Sequence, residues 1–155
     1  MSVSLLLVPA ALAAATAVAG LASGRRADGQ IVCTVQTRMR DVNLLAAALR
    51  ETGAAVAVAG SADAVTAAWE SVRAEFRRDQ DGIWTAHLTG EVDETRASEI
   101  VSAVDAGYGR QVQRAVLDRL RERAPAAGLR LESEHTTEDE AVRLVFAVGE
   151  GNRRA

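Results

Sequence analysis

"SVRAEFRRDQDGIWTAHLTGEV", residues 71–92, decides how this chain folds. It reads as a hairpin: an alternating arm up to Arg77, a turn closing on Asp81-Gly82, and a second arm from Ile83. In the second arm Trp84, Ala86 and Leu88 share one face, and Ile83, Thr85 and His87 take the other. A hairpin in mid-chain points to a largely antiparallel sheet.

Outward from this hairpin the elements alternate. "IVCTVQT" (31–37) carries Ile31, Cys33 and Val35 at period two, a strand. Asp41 stands where an N-cap belongs, ahead of "VNLLAAALRETG", in which Val42, Leu45 and Leu49 recur at helical spacing and Gly53 marks the stop. "AAVAVAG" (54–60) reads as the next strand. "SADAVTAAWES" (61–71) leaves two options open, a helical turn capped by Ser61 or a loop feeding a strand. From Thr95 to about Ala124 the pattern is helical, with an apolar stripe of Val112, Val116, Leu117, Leu120 and Ala124; Gly107-Tyr108-Gly109 is a candidate break. Two strands close the domain, "LRLESEH" (129–135) and "AVRLVFAV" (141–148), around the acidic turn 137–140. The expected class is α+β. We expect a single domain over 31–148, a mostly antiparallel sheet with two helices on one face, and a ferredoxin-like topology as a plausible relative. Residues 149–155 read as a tail.

The N-terminus poses a separate question. Residues 2–24 are 23 positions without a charge, with Leu5, Leu6, Leu7, Val8, Leu12, Val18 and Leu21 as the strong apolar members. As a helix this run would extend ~34 Å, against about 30 Å for a hydrocarbon core. Arg25 and Arg26 follow it and open a linker over 25–30; basic residues on that flank favour the cytoplasmic side. The expectation is an apolar helix over 1–24 that serves as a single-pass anchor in the bacterial cytoplasmic membrane, with the domain on the cytoplasmic side. A cleaved signal would need a basic start that this chain lacks. An interfacial or buried helix is the third reading.

Composition narrows the function. All 18 basic residues are Arg. Beyond residue 26 the chain has 16 Arg against 21 Asp and Glu, a net of −5. Nucleic acid binding rests on an excess of cations, so no nucleic acid partner is expected. The single cysteine, Cys33, forms no internal disulfide, and its alternation with Ile31 and Val35 predicts a buried thiol. Cys33, His87 and His135 fall in three different elements without zinc-ligand spacing, so no metal, cofactor or catalytic set is expected. The Arg110, Arg114 and Arg121 stripe is balanced by Asp118 and Glu122 and reads as a solvated helix face.

In order, "VQTRMRDVNLLAAALRETG", "EFRRDQDGIWTAHLTGEVD" and "YGRQVQRAVLDRLRERAPAAGLRLESEHTTEDEAVRLVFAV" resemble a family of small conserved proteins of cyanobacteria and algal plastids. That family is known as hypothetical chloroplast reading frame thirty-five (domain of unknown function twelve-fifty-seven). The resemblance spans about residues 35–148. It rests on Thr37, Asp41, Leu49 and Gly53; on Phe76, Asp81, Gly82 and Trp84; on Tyr108; and on Gly128, Arg143, Leu144 and Val145. Trp84 replaces the family's usual Tyr, Glu140 or Ala141 stands where its final turn has Gly, and the apolar N-terminus is extra. The resemblance implies a fold and a cytoplasmic or stromal home, and it supplies no active site.

The functional expectation is a membrane-tethered, non-enzymatic adaptor that binds a protein partner at the cytoplasmic membrane face. One alternative is a small enzyme or electron-transfer accessory built around Cys33, His87 or Tyr108. Another is a homo-oligomeric structural protein.

Overall fold

The 71–92 hairpin forms as its alternation requires. The structure, a computed structural model, describes residues 2–7, 21–25 and 31–149. Strands β6 (Val72–Arg78) and β7 (Trp84–Gly90) pair antiparallel, with Phe76 opposite Ala86 and Glu75 opposite His87. Val72, Ala74 and Phe76 are buried, as are Trp84, Ala86 and Leu88, so one face of the hairpin lies wholly in the core. The turn is tied by Asp79, whose carboxylate accepts from the amides of Asp81 (2.9 Å) and Ile83 (2.8 Å).

Around the hairpin the remaining strands build a six-stranded antiparallel sheet. Its members are β2 (Leu21–Arg25), β3 (Ile31–Gln36), β4 (Ala55–Val58) and β5 (Ala64–Ala68), in the order β2-β3-β7-β6-β5-β4. The open choice over 61–71 thus resolves as a loop feeding a strand, with Val65 and Ala67 turned inward and fully buried. Helix α1 (Val42–Glu51) starts at Asp41, whose carboxylate accepts from the amides of Asn43 and Leu44. Such a cap stabilises a helix by about 0.5–2 kcal/mol. Leu45 and Leu49, both fully buried, each contribute about 1.5–3 kcal/mol by leaving water.

Helix α2 (Glu94–Arg123) is continuous through Gly107-Tyr108-Gly109. Gly107 lies against α1: a Cβ there would sit 3.4 Å from that of Ala48. The glycine serves close helix approach and does not break the helix. Both helices cover one face of the sheet, α1 over β4 and β5 and α2 over β3 and β2. The N-terminal half of α2 places Ala97, Ile100, Val101 and Val104 in the main core; this half of its stripe is absent from the sequence reading. Its C-terminal half carries Leu117 and Leu120 into a second core, joined by the C-cap residue Ala124, while Val116 is 37% exposed.

That second core is roofed by a separate three-stranded antiparallel sheet in the order β1-β9-β8. Its strands are β1 (Ser2–Leu7), β8 (Leu129–Thr136) and β9 (Val142–Val148). The single sheet of the sequence reading is therefore two. The ferredoxin-like relation is not established, because the strands after α2 leave the main sheet and pair with β1. Val142, Leu144 and Phe146 face α2. A register shift between Leu131 and Ser133 changes the phase of β8 and turns Glu134 toward α2, where Arg121 grips both its oxygens at 2.6 and 2.7 Å.

The N-terminal expectation needs correction. Where an anchor helix over 1–24 was expected, Ser2–Leu7 and Leu21–Arg25 are strands, paired with β9 and β3. Leu5 stands opposite Leu144 and Leu6 opposite Arg143; they are 39% and 54% exposed. The physical reason is edge pairing. An uncharged run suits helix and strand alike, and the bare edges of β3 and β9 offer it hydrogen bonds that a helix would have to make internally. Leu7, Leu21 and Arg25 belong to these strands; Val8, Leu12, Val18 and Arg26 lie outside the described residues. Among the described residues no helix is long and apolar enough to cross a membrane.

Candidate functional site

The three reactive side chains of the enzyme alternative sit apart. Cys33 is fully buried on the helix-covered face of the sheet. His87, on β7, points to the opposite face, where its Nδ1 lies 3.2 Å from the Thr34 hydroxyl. Tyr108, on α2, accepts at its hydroxyl from the amides of Arg40 (3.1 Å) and Asp41 (3.0 Å). Native Cys33 should therefore resist a thiol-specific disulfide reagent and react only as the protein unfolds; stoichiometric labelling of the native chain would contradict its burial.

Tyr108 belongs to a knot around the loop 37–41, which leads from β3 into α1. The Thr37 amide donates to the Trp84 carbonyl (3.1 Å), and the Thr37 hydroxyl donates to the same oxygen. The Trp84 amide donates to Met39 O (3.2 Å) and its indole to Arg40 O (3.3 Å). Arg40 reaches Asp81 O, and Asp41 caps α1. Residues on which the family resemblance rested — Thr37, Asp41, Asp81, Trp84 and Tyr108 — thus meet in one place and hold the backbone. Tyr108→Phe removes the acceptor for two amides and should destabilise the chain by about 1–3 kcal/mol, read from a urea unfolding curve.

The final hairpin turn joins β8 to β9. Glu140 has φ +58°, in the left-handed region that favours glycine. Glu140→Gly should raise stability by about 0.5–1 kcal/mol, measured as an upward shift of the thermal midpoint.

The far side of the six-stranded sheet has no covering element among the described residues. One row across it runs Ala57, Thr66, Glu75, His87 and Thr34; a flanking row runs Ala55, Ala68, Arg73 and Thr89. Arg73, Glu75, His87 and Thr89, with Trp69 and Ser71 at the rim, line a hollow of about 520 Å³. The Thr34, His87 and Glu75 row has the residue types of a nucleophile, a base and an orienting acid. It lacks their geometry. Glu75 is turned along its own strand to Arg77 (2.7 Å), with no bond to His87. The backbone N–H groups of a central strand are taken up by the ladder, so none is free to stabilise a developing oxyanion. The face is suited to recognition by polar and charged contacts.

Other candidates are satisfied locally. Arg110 pairs with Glu51 (3.2 Å), and Arg121 pairs with Glu134 and Asp118. The hydrogen bond that Arg121 donates to Glu134 is the largest influence on its guanidinium and raises its pKa above the ordinary value. Burial opposes this, and the charge of Glu134 with the bond to and charge of Asp118 add to the rise. The acidic turn 137–140 closes through Thr137 to Ala141 O (3.1 Å), and His135 stands exposed opposite Arg143. Among the described residues no group of His, Cys, Asp or Glu is placed to hold a metal ion. The hollow was not foreseen from the sequence; the polar alternation of Arg73, Glu75 and Arg77 opposite Thr85, His87 and Thr89 was its available signal.

No family model, no curated protein and no solved structure matches this chain.

Proposed function

We propose that this chain is a non-enzymatic binding module that docks a protein partner on the open face of its six-stranded sheet. The observation that carries the proposal is the asymmetry of that sheet: two helices cover one face, and the other presents a polar hollow at Arg73, Glu75 and His87. The structural employment of Cys33 and Tyr108 supports the same reading, since neither lies beside His87. Kinship with the chloroplast reading-frame family is part of the proposal, supported by the convergence of its motif residues on the 37–41 knot.

The test uses the full chain purified with its partner from its own cells. Thr85→Trp and Thr66→Trp place a bulky ring on the open face and should each reduce partner recovery at least tenfold. Unfolding free energy should stay within about 0.5 kcal/mol. Undiminished recovery with both variants, or no partner with the unaltered chain, would overturn the proposal.

A second reading is favoured by the lack of any charge from Ser2 to Gly24. It holds the module at the cytoplasmic face of a bacterial membrane, and strand pairing at both ends of the run argues against it. Flotation of the full chain with phosphatidylglycerol and phosphatidylethanolamine vesicles supports it; a chain that stays at the bottom of the gradient overturns it.

A further inference from the structure

Strand β4 is one edge of the six-stranded sheet, and its chemistry is that of a strand with a neighbour. From Ala54 to Ala62 the chain carries no charge and no proline, the usual devices that stop a bare edge from pairing. Val58 is 43% exposed at this edge. The Ala59 amide donates to Ala64 O across β5, and antiparallel bonds alternate along a strand. The N–H and C=O groups of Val56 and Val58 therefore point away from β5 to the open side.

We propose that β4 pairs with β4 of a second copy of this chain, antiparallel about a two-fold axis through Ala57. Only a register that sets odd residues opposite odd and even opposite even keeps the helices of both copies on one side of the joined sheet. With Ala57 on the axis, Val56 lies opposite the partner copy's Val58, and the outward groups of both residues form four N–H···O bonds. The exposed Val58 then packs against the other copy's Val56. On the far face the seam is lined by Ala55, Ala57, Ala59 and Thr66, without a charge to repel.

The charges beyond the seam identify a second copy as the occupant. Glu51 and Ala48 of α1 face α2, which turns Arg50 to the other side of the helix, above the β4 edge. Asp63, exposed, precedes β5 at the opposite end of β4. Neither side chain has a charged partner among the described residues. A two-fold antiparallel pairing brings the Arg50 end of each copy to the Asp63 end of the other, so both charges are answered twice. The contact is short, four residues of strand and one helix flank, below the usual size of a permanent interface. A dissociation constant of about 1–100 μM is the corresponding affinity.

The test is sedimentation equilibrium of the full chain. The unaltered protein should show a reversible dimer. Val58→Pro deletes one outward amide and should weaken the dimer at least tenfold. Arg50→Asp and Asp63→Arg should each weaken it several-fold, and the double exchange should restore it. A monomer at every concentration up to about 100 μM would overturn the pairing. So would a dimer indifferent to Val58→Pro in a variant with native circular dichroism, or a double exchange no better than either single one. The charge exchanges decide the matter even where Val58→Pro fails to fold. A monomeric result leaves the open-face proposal standing, because that face is distinct from this edge.

Discussion

Trp84→Ala should lower the unfolding free energy by about 3–5 kcal/mol, the usual loss for emptying a fully buried aromatic site. Single domains are stable by about 5–15 kcal/mol, so this one change removes from about a fifth to the whole of the total. Two effects add. The cavity opens beneath both helices, in a core whose other large residues are Phe76, Met39, Leu45, Leu49 and Leu88. The indole bond to Arg40 O is lost as well, which frees the loop that presents Asp41 to α1. Trp84→Phe separates the two, because it keeps most of the volume and drops only the bond; it should cost about 1–2 kcal/mol. Urea denaturation of both variants, followed by far-ultraviolet circular dichroism, measures the difference. A loss below about 1 kcal/mol for the alanine variant would mean that Trp84 does not pack as described.

Gly90→Ala should be nearly as damaging, by about 3–4 kcal/mol, for a reason that side-chain volume does not reveal. Gly90 ends β7 at φ +103°, and a Cβ built there falls 2.3 Å from Ser71 O. That oxygen also accepts the Glu91 amide at 3.0 Å, so it cannot move without loosening the turn into α2. Backbone strain and a backbone clash thus coincide at the end of the central hairpin, where Gly90 pairs with Val72. Gly60→Ala is the control: nothing lies within 4 Å of its Cβ position, and the change should stay within about 1 kcal/mol. Equal effects at the two positions would contradict the account of Gly90.

What the sequence disclosed was local. The 71–92 hairpin, the Asp41 cap and the closing strands are written in alternation and capping residues a few positions apart, and each forms as read. What it concealed depends on distant partners. Ser2–Leu7 has an apolar composition that serves a helix or a strand, and β9, more than 130 residues on, selects the strand. Gly107 looks like a helix breaker until α1 is laid against it. The division into two sheets follows from where β8 and β9 go after α2, which no short pattern specifies. The open face was visible as polar residues at period two. Its hollow was not, because Arg73 on β6, His87 on β7 and Trp69 in the turn between β5 and β6 are brought together by pairing.

The most direct test of the binding-module account is site-specific photo-crosslinking of the full chain in its own cells. A benzophenone amino acid is placed at Thr85 on the open sheet face, or at Arg119, exposed on α2. The account predicts a discrete protein adduct from position 85 and none from position 119. An adduct from position 119 with none from position 85 would contradict it.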